Sequence, residues 1–360
     1  MLRRFLLFLP LTLGLTPACA QAPASGTAFS EISEALSEPG GYFDTDNLIS
    51  NEASYLHVIG GLDSLEVRGG GYLGVGPDQN FSYIARIRPE IAIIIDIRRD
   101  NLLQQLLFKA LFQLSRNRGE YLSLLLSRAP PEELAPEAPV EALTAHFDSS
   151  TYDPQLFAAR GERLRRQLDT FGFDLSEEDF ATIARFHEAF GRAGLDLRFQ
   201  SFGRPPQYYY PTLRDLILER DRAGRQASYL ASEEAFQIVR SLQLRDGIIP
   251  AVGDLAGSRA VPAIAAYLRE RGIPLTAYYT SNVEFYLGNE GSLDEFIENL
   301  RLFPRAPNAV IIRSVFRTPL PASVPGYAST QLLQPIDSLL KAYDEGRVRS
   351  YYELIRTGAF

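Results

Sequence analysis

The clearest pattern along the chain is a short, unbroken apolar run, Ile91 to Ile95 in "EIAIIIDI", closing on Asp96. Such a run without alternation predicts a strand covered on both faces, as in a parallel sheet. Upstream, "GGGYLGVG" reads as a short glycine-rich strand, and a helix is expected over about 78 to 88 with Pro77 pre-set for its first turn. Downstream, Leu102, Leu103, Leu106, Leu107, Leu111 and Leu114 recur at helical spacing, predicting one long helix over 100 to 128. Four prolines between 130 and 139 then interrupt the pattern.

Residues 140 to 225 read as mostly helical, with Ser176-Glu177-Glu178-Asp179 a helix start and Gly191 or Gly194 a stop. The alternation resumes with strands expected at "ASYLAS", "IIPAVGD", "IPLTAYYTSN" and "NAVIIRSVF", separated by helical segments. Strand and helix in this order predict right-handed βαβ units on a mostly parallel sheet, a three-layer α/β sandwich with a largely helical insertion. The segment "QPIDSLLKAYDEGRVRSYYELI" predicts one or two amphipathic helices as a C-terminal tail.

The N-terminus follows a different logic. Arg3 and Arg4 precede an apolar stretch from Phe5 to Leu15, and Ala18-Cys19-Ala20 supplies small residues at a cleavage position. The expected organisation is a signal peptide over 1–20, a lead-in over 21–45, an α/β domain over 46–320 with its insertion at about 130–225, and the helical tail over 321–360. The protein is expected to be exported, to the periplasm or beyond. Thr16 stands where a lipoprotein signal usually has leucine, which favours cleavage over lipidation of Cys19. No later segment is apolar for long enough to span a membrane.

Composition narrows the chemistry. The formal charge of −8 argues against nucleic acid as a partner and leaves a small molecule as the expected one. Cys19 is the only cysteine, so a cleaved chain has no thiolate chemistry or disulfides. His57, His146 and His187 fall in separate segments without ligand spacing, and no metal site is expected. No G-x-S-x-G elbow supports a serine hydrolase.

In an open parallel sheet, ligands sit beyond the carboxyl ends of the strands where the strand order reverses. Four such junctions are polar or glycine-bearing: Gly74-Val75-Gly76-Pro77-Asp78-Gln79-Asn80, Asp96-Ile97-Arg98-Arg99, Gly253-Asp254, and Tyr279-Thr280-Ser281-Asn282 with Glu284 just after. Asp96 follows Gly76 by 20 residues, the spacing at which an acid accepts ribose hydroxyls. The same residues also suit a tight corner and a helix cap.

The stretches "YLGVGPDQNFSYIARIRPEIAIIIDIRRDNLLQQLLFKALFQLS", "IIPAVGDLAGSRAVPAIAAYLRERG" and "YYTSNVEFYL" resemble an uncharacterised bacterial family, similar in fold to class I S-adenosylmethionine-dependent methyltransferases. The resemblance implies a Rossmann-like fold and S-adenosylmethionine as cofactor. It implies cofactor contacts from Gly74, Gly76, Asp78, Asn80, Asp96, Ile97, Asp254 and Asn282, with Gly74 and Gly76 along the methionine moiety and Asp96 on the ribose. Asp254 or Glu284 would orient or deprotonate a methyl acceptor. Two departures stand beside it: no acid directly precedes Gly74, and Asn80 stands near where a third glycine would fall. They support the alternative of an exported, non-catalytic protein that binds a small molecule or partner on a degenerate methyltransferase-like fold.

Overall fold

A computed structural model describes residues 27–203, 205 and 207–357. The leader and its cleavage position, read from the sequence at residues 1–20, lie outside the described residues. Six strands form one sheet: β1 (Gly71–Val75), β2 (Ile91–Asp96), β3 (Ile248–Val252), β4 (Leu275–Ser281), β5 (Arg305–Phe316) and β6 (Ser329–Pro335). Their spatial order is β3-β2-β1-β4-β5-β6, with β5 and β6 antiparallel and the other pairs parallel. Helices cover both faces, giving the three-layer Rossmann-like sandwich expected from the alternating pattern.

The centre of the sheet explains its sequence. β1 is buried along its whole length and pairs Gly74 with Ile94 of β2 and with Tyr279 of β4. Tyr72, Leu73 and Ile93 to Ile95 therefore have no solvent face to alternate toward. β3 tolerates Pro250 because it is the sheet edge, where a missing N–H costs no ladder bond. The segment after the helix Thr27–Ala35 covers that edge: Glu38 N–H donates to the Val252 carbonyl at 2.9 Å, and Ser37 Oγ accepts from Val252 N–H at 3.0 Å.

Four expectations change. The helix expected over 100 to 128 is two, Arg99–Leu114 and Arg118–Leu126, because Asn117 turns extended and caps the second through Glu120 N–H. In "SNEASYLHVIGGL", Ser50 or Asn51 is suited to cap a helix, but the chain forms a short 3₁₀ turn Tyr55–Val58 followed by Ile59–Ser64, leaving Glu52 free to turn inward. "ASYLAS" forms no strand; its buried Tyr229 packs against Phe81 of the helix Gln79–Ile87 and donates its N–H to Ser82 Oγ at 3.1 Å. Finally, β6 precedes the two tail helices, Ile336–Asp344 and Tyr351–Leu354.

The insertion behaves as its caps predict. Ser176 and Asp179 form a reciprocal capping box for Glu177–Ala193, which stops at Gly194 with φ of 58°. Beyond it, the loop around residue 201 returns to the main domain. Phe202 N–H donates to the Asp44 carbonyl at 2.7 Å, and Thr45 Oγ1 donates to the Gln200 carbonyl at 2.5 Å. The loop before Leu48 and the aromatic loop of the insertion are thereby joined above the sheet.

Candidate functional site

Under those joined loops, a cavity of about 220 Å³ opens at the carboxyl ends of β1, β2, β3 and β4. Sheet order reverses between β1 and β4, so this is the crevice that the topology itself creates. Its floor is built from the residues at and just after each strand end: Gly76, Asp96 with Ile97 and Arg98, Gly253 with Asp254, and Ser281 with Asn282.

Gly76 turns the chain out of β1 with φ of +83°, which a side chain rarely adopts. Its carbonyl accepts from Gln105 Nε2 at 3.1 Å, fixing the turn from the neighbouring helix. At the end of β2, Arg98 grips Asp96 with two parallel bonds, Nε to Oδ1 at 2.9 Å and Nη2 to Oδ2 at 2.7 Å. Arg98 Nη1 also donates to the carbonyls of Thr45 and Asp46 at 2.9 and 2.8 Å, tying the overlying loop to β2. Asp254 N–H donates to Glu38 Oε1 at 2.8 Å, while Asp254 Oδ1 accepts from Ala256 N–H at 2.9 Å.

The fourth junction carries the most unusual chemistry. Ser281 ends β4 with φ of +54°, an outlier for a residue with a side chain, and donates its hydroxyl to Glu52 Oε1. Glu52 is fully buried at the cavity wall; Tyr279 Oη donates to its Oε2 at 2.5 Å and Gln331 Nε2 at 3.1 Å. Burial pushes the Glu52 carboxyl above its ordinary range, against the opposing pull of the Ser281, Tyr279 and Gln331 donors. Gln79 extends the network by donating Nε2 to Tyr279 Oη at 3.1 Å, while its buried Oε1 has no hydrogen-bond partner.

The structure brings together Gly76, Asp96, Ile97, Asp254 and Asn282 in this one cavity, and places the other sequence-derived candidates elsewhere. Gly74 lies within β1, where an added Cβ would fall 2.0 Å from Asn80 Oδ1 and 2.7 Å from the Tyr72 ring. Asn80 clamps that corner, donating Nδ2 to the carbonyls of Val75 and Pro77 at 2.8 Å each and accepting from Tyr72 Oη at 2.8 Å. Asp78 turns into a separate buried pocket, where Tyr229 Oη donates to Oδ2 at 3.0 Å and burial raises its carboxyl to about 6. Glu284 is sealed in the core against Arg313, with Nε at 2.7 Å and Nη2 at 3.1 Å from its oxygens.

Sequence reasoning missed Glu52, Gln79 as a cavity residue, and the Phe43 and Tyr286 half of the aromatic wall. Phe43 meets Tyr286 edge-to-face at 5.0 Å and Phe199 meets Tyr210 at 5.1 Å, all four lining the cavity. The "FQSFGRPPQYYYPT" cluster was the available signal for Phe199 and Tyr210. Nothing near Glu52 marks it, because its partners lie more than 200 residues away. Among the described residues, no group of three or more His, Cys, Asp or Glu is placed to hold a metal ion, and no helix is long and apolar enough to cross a membrane.

Residues 48–170 and 178–355 match the family model described as a domain of unknown function, DUF7790, and the chain belongs to that family. No curated protein matches the chain.

Proposed function

We propose, for this member of a family of unknown function, that the cleft at the β1/β4 switch point holds a nucleoside-type small molecule, with S-adenosylmethionine as its ligand and methyl transfer as its chemistry. The observation that carries this reading is convergence. Gly76, Asp96, Asp254 and Asn282, chosen from the sequence as strand-end residues, share one open cavity. The Gly76 turn lets backbone approach a ligand closely, and Asp96 keeps lone pairs beyond those facing Arg98 for a ribose hydroxyl.

In such an enzyme, holding the acceptor in line with the methyl group does most of the catalytic work. Of the two acids considered for the acceptor, Asp254 lines the cavity and would orient or deprotonate it, whereas Glu284 is spent on Arg313. Isothermal titration with S-adenosylmethionine and S-adenosylhomocysteine tests the reading, beside Asp96→Ala. Micromolar binding weakened in the variant supports it; no binding of either compound sinks it.

A second reading has its own observation. Arg98 occupies both oxygens of the Asp96 carboxylate, and a carboxylate already clamped is a poorer ribose acceptor. An exported binding protein, using the same cleft for another small molecule, fits that clamp and the expected leader. It predicts an intact fold, no methyl transfer and a ligand outside the adenosyl class.

A further inference from the structure

We propose that the ligand of this cleft is an organic cation. The inference rests on reading the cleft as a ligand site and deepens it by assigning the charge of the occupant. Among the described residues that line the cavity, Asp44, Glu52, Asp96, Asp254 and Glu290 are acidic, and the one basic side chain is Arg98. Arg98 is already committed to Asp96 and to the carbonyls of Thr45 and Asp46. Glu38 adds a further carboxylate behind the floor, accepting from the N–H groups of Asp254 and Ala260. A cleft lined by one sign of charge between low-dielectric walls concentrates the opposite sign.

The walls favour the same charge. Phe43 with Tyr286, and Phe199 with Tyr210, present aromatic rings to the same space, and Tyr42 stands at its lining. Ring faces attract ammonium and sulfonium groups, and the attraction grows as water is excluded. An anion would meet both the carboxylates and the negative faces of the rings. A bare metal ion finds no cluster of ligands among the described residues.

Gln79 also lines the cavity at 6% exposure, and its Oε1 is buried in the cleft wall without a hydrogen-bond partner.

Four probes separate this inference from the nucleoside reading. S-adenosylmethionine and sinefungin carry a positive centre on an adenosyl frame, S-adenosylhomocysteine keeps the frame without that centre, and choline has the cation alone. Titrated calorimetrically at low ionic strength, the two cationic nucleosides are expected to bind about tenfold or more tighter than S-adenosylhomocysteine. Glu52→Gln and Asp254→Asn, each checked for a native melt, are expected to shrink that ratio. Asp254 lies at the surface end of β3, so its variant keeps the test alive should Glu52→Gln unfold.

Equal affinity for S-adenosylhomocysteine overturns the cation inference and leaves the nucleoside site. Binding of choline alone overturns the nucleoside reading and supports the cation. Binding of none of the four overturns both.

Discussion

Arg98 holds both oxygens of Asp96 and, from the same guanidinium, two carbonyls of the loop that roofs the cavity. One side chain therefore links the end of β2 to the cover of the cleft. Both partners are nearly buried, with side chains 7% and 11% exposed. Replacing Arg98 by methionine leaves Asp96 unpaired and two carbonyls without donors. The expected loss of stability in urea unfolding is about 3 kcal/mol, the lower end for breaking a buried pair because the cavity admits water. Asp96→Asn puts an NH2 donor against an Arg98 N–H and removes the counter-charge, so it should cost a comparable amount.

Gly74 and Gly76 separate folding from binding. A Cβ at Gly74 collides with Asn80 and Tyr72 in the packed corner, so Gly74→Ala is expected to cost roughly 2 kcal/mol or more in unfolding measurements. At Gly76 the nearest atoms are Asn47 Nδ2 at 3.2 Å and Gln79 Nε2 at 3.5 Å, and the main cost is the left-handed backbone, about 1–2 kcal/mol. Only the Gly76→Ala side chain intrudes on the cavity wall. It should weaken ligand binding beyond what its stability loss explains, whereas Gly74→Ala variants that fold should bind normally.

Asp78 makes a pH prediction. Its carboxyl is raised to about 6 from an ordinary 3.8, with burial the cause. The folded state therefore holds a proton that the unfolded state releases between those values. The associated stability is complete below about pH 4 and is lost as pH rises to about 6. Asp78→Asn removes this dependence, flattening the pH 4–6 limb and raising relative stability at pH 7 by on the order of 3 kcal/mol. His187, lowered to about 4 by burial, works in the opposite direction, losing stability as pH falls from about 6.5. Comparing His187→Gln with the double variant isolates the Asp78 slope.

Glu284 should behave as a structural residue. Its two bonds to Arg313 are fully buried, so Glu284→Gln is expected to destabilise by about 3–5 kcal/mol. Surviving folded protein should keep its affinity for the cleft ligand. A selective loss of binding with an unchanged melt would return Glu284 to the site.

How much of this was legible in the chain depends on range. Ile91 to Ile95, the Pro77 corner and the Ser176–Asp179 cap are local signals, and they place strand, helix and insertion correctly. β6 was invisible because its polar residues are buried by partners on another strand: Gln331 bonds Ser314, and Gln334 bonds Arg313. Tertiary pairing there overrides the local pattern. Glu52 follows Ser50 and Asn51, where an acid suits a helix start, and only its distant partners Tyr279 and Gln331 decide its burial. In the "GVGPDQN" stretch, Gly76 reached the cavity, while Asn80 and Gly74 make the corner and Asp78 packs behind it.

The most direct measurement is a crystal structure of the protein grown with S-adenosylmethionine. The account predicts ligand density in the cleft between Gly76 and Asn282, its ribose beside Asp96 and its sulfonium among the rings of Phe43, Phe199, Tyr210 and Tyr286. An empty cleft at saturating ligand, or density elsewhere on the molecule, would contradict it.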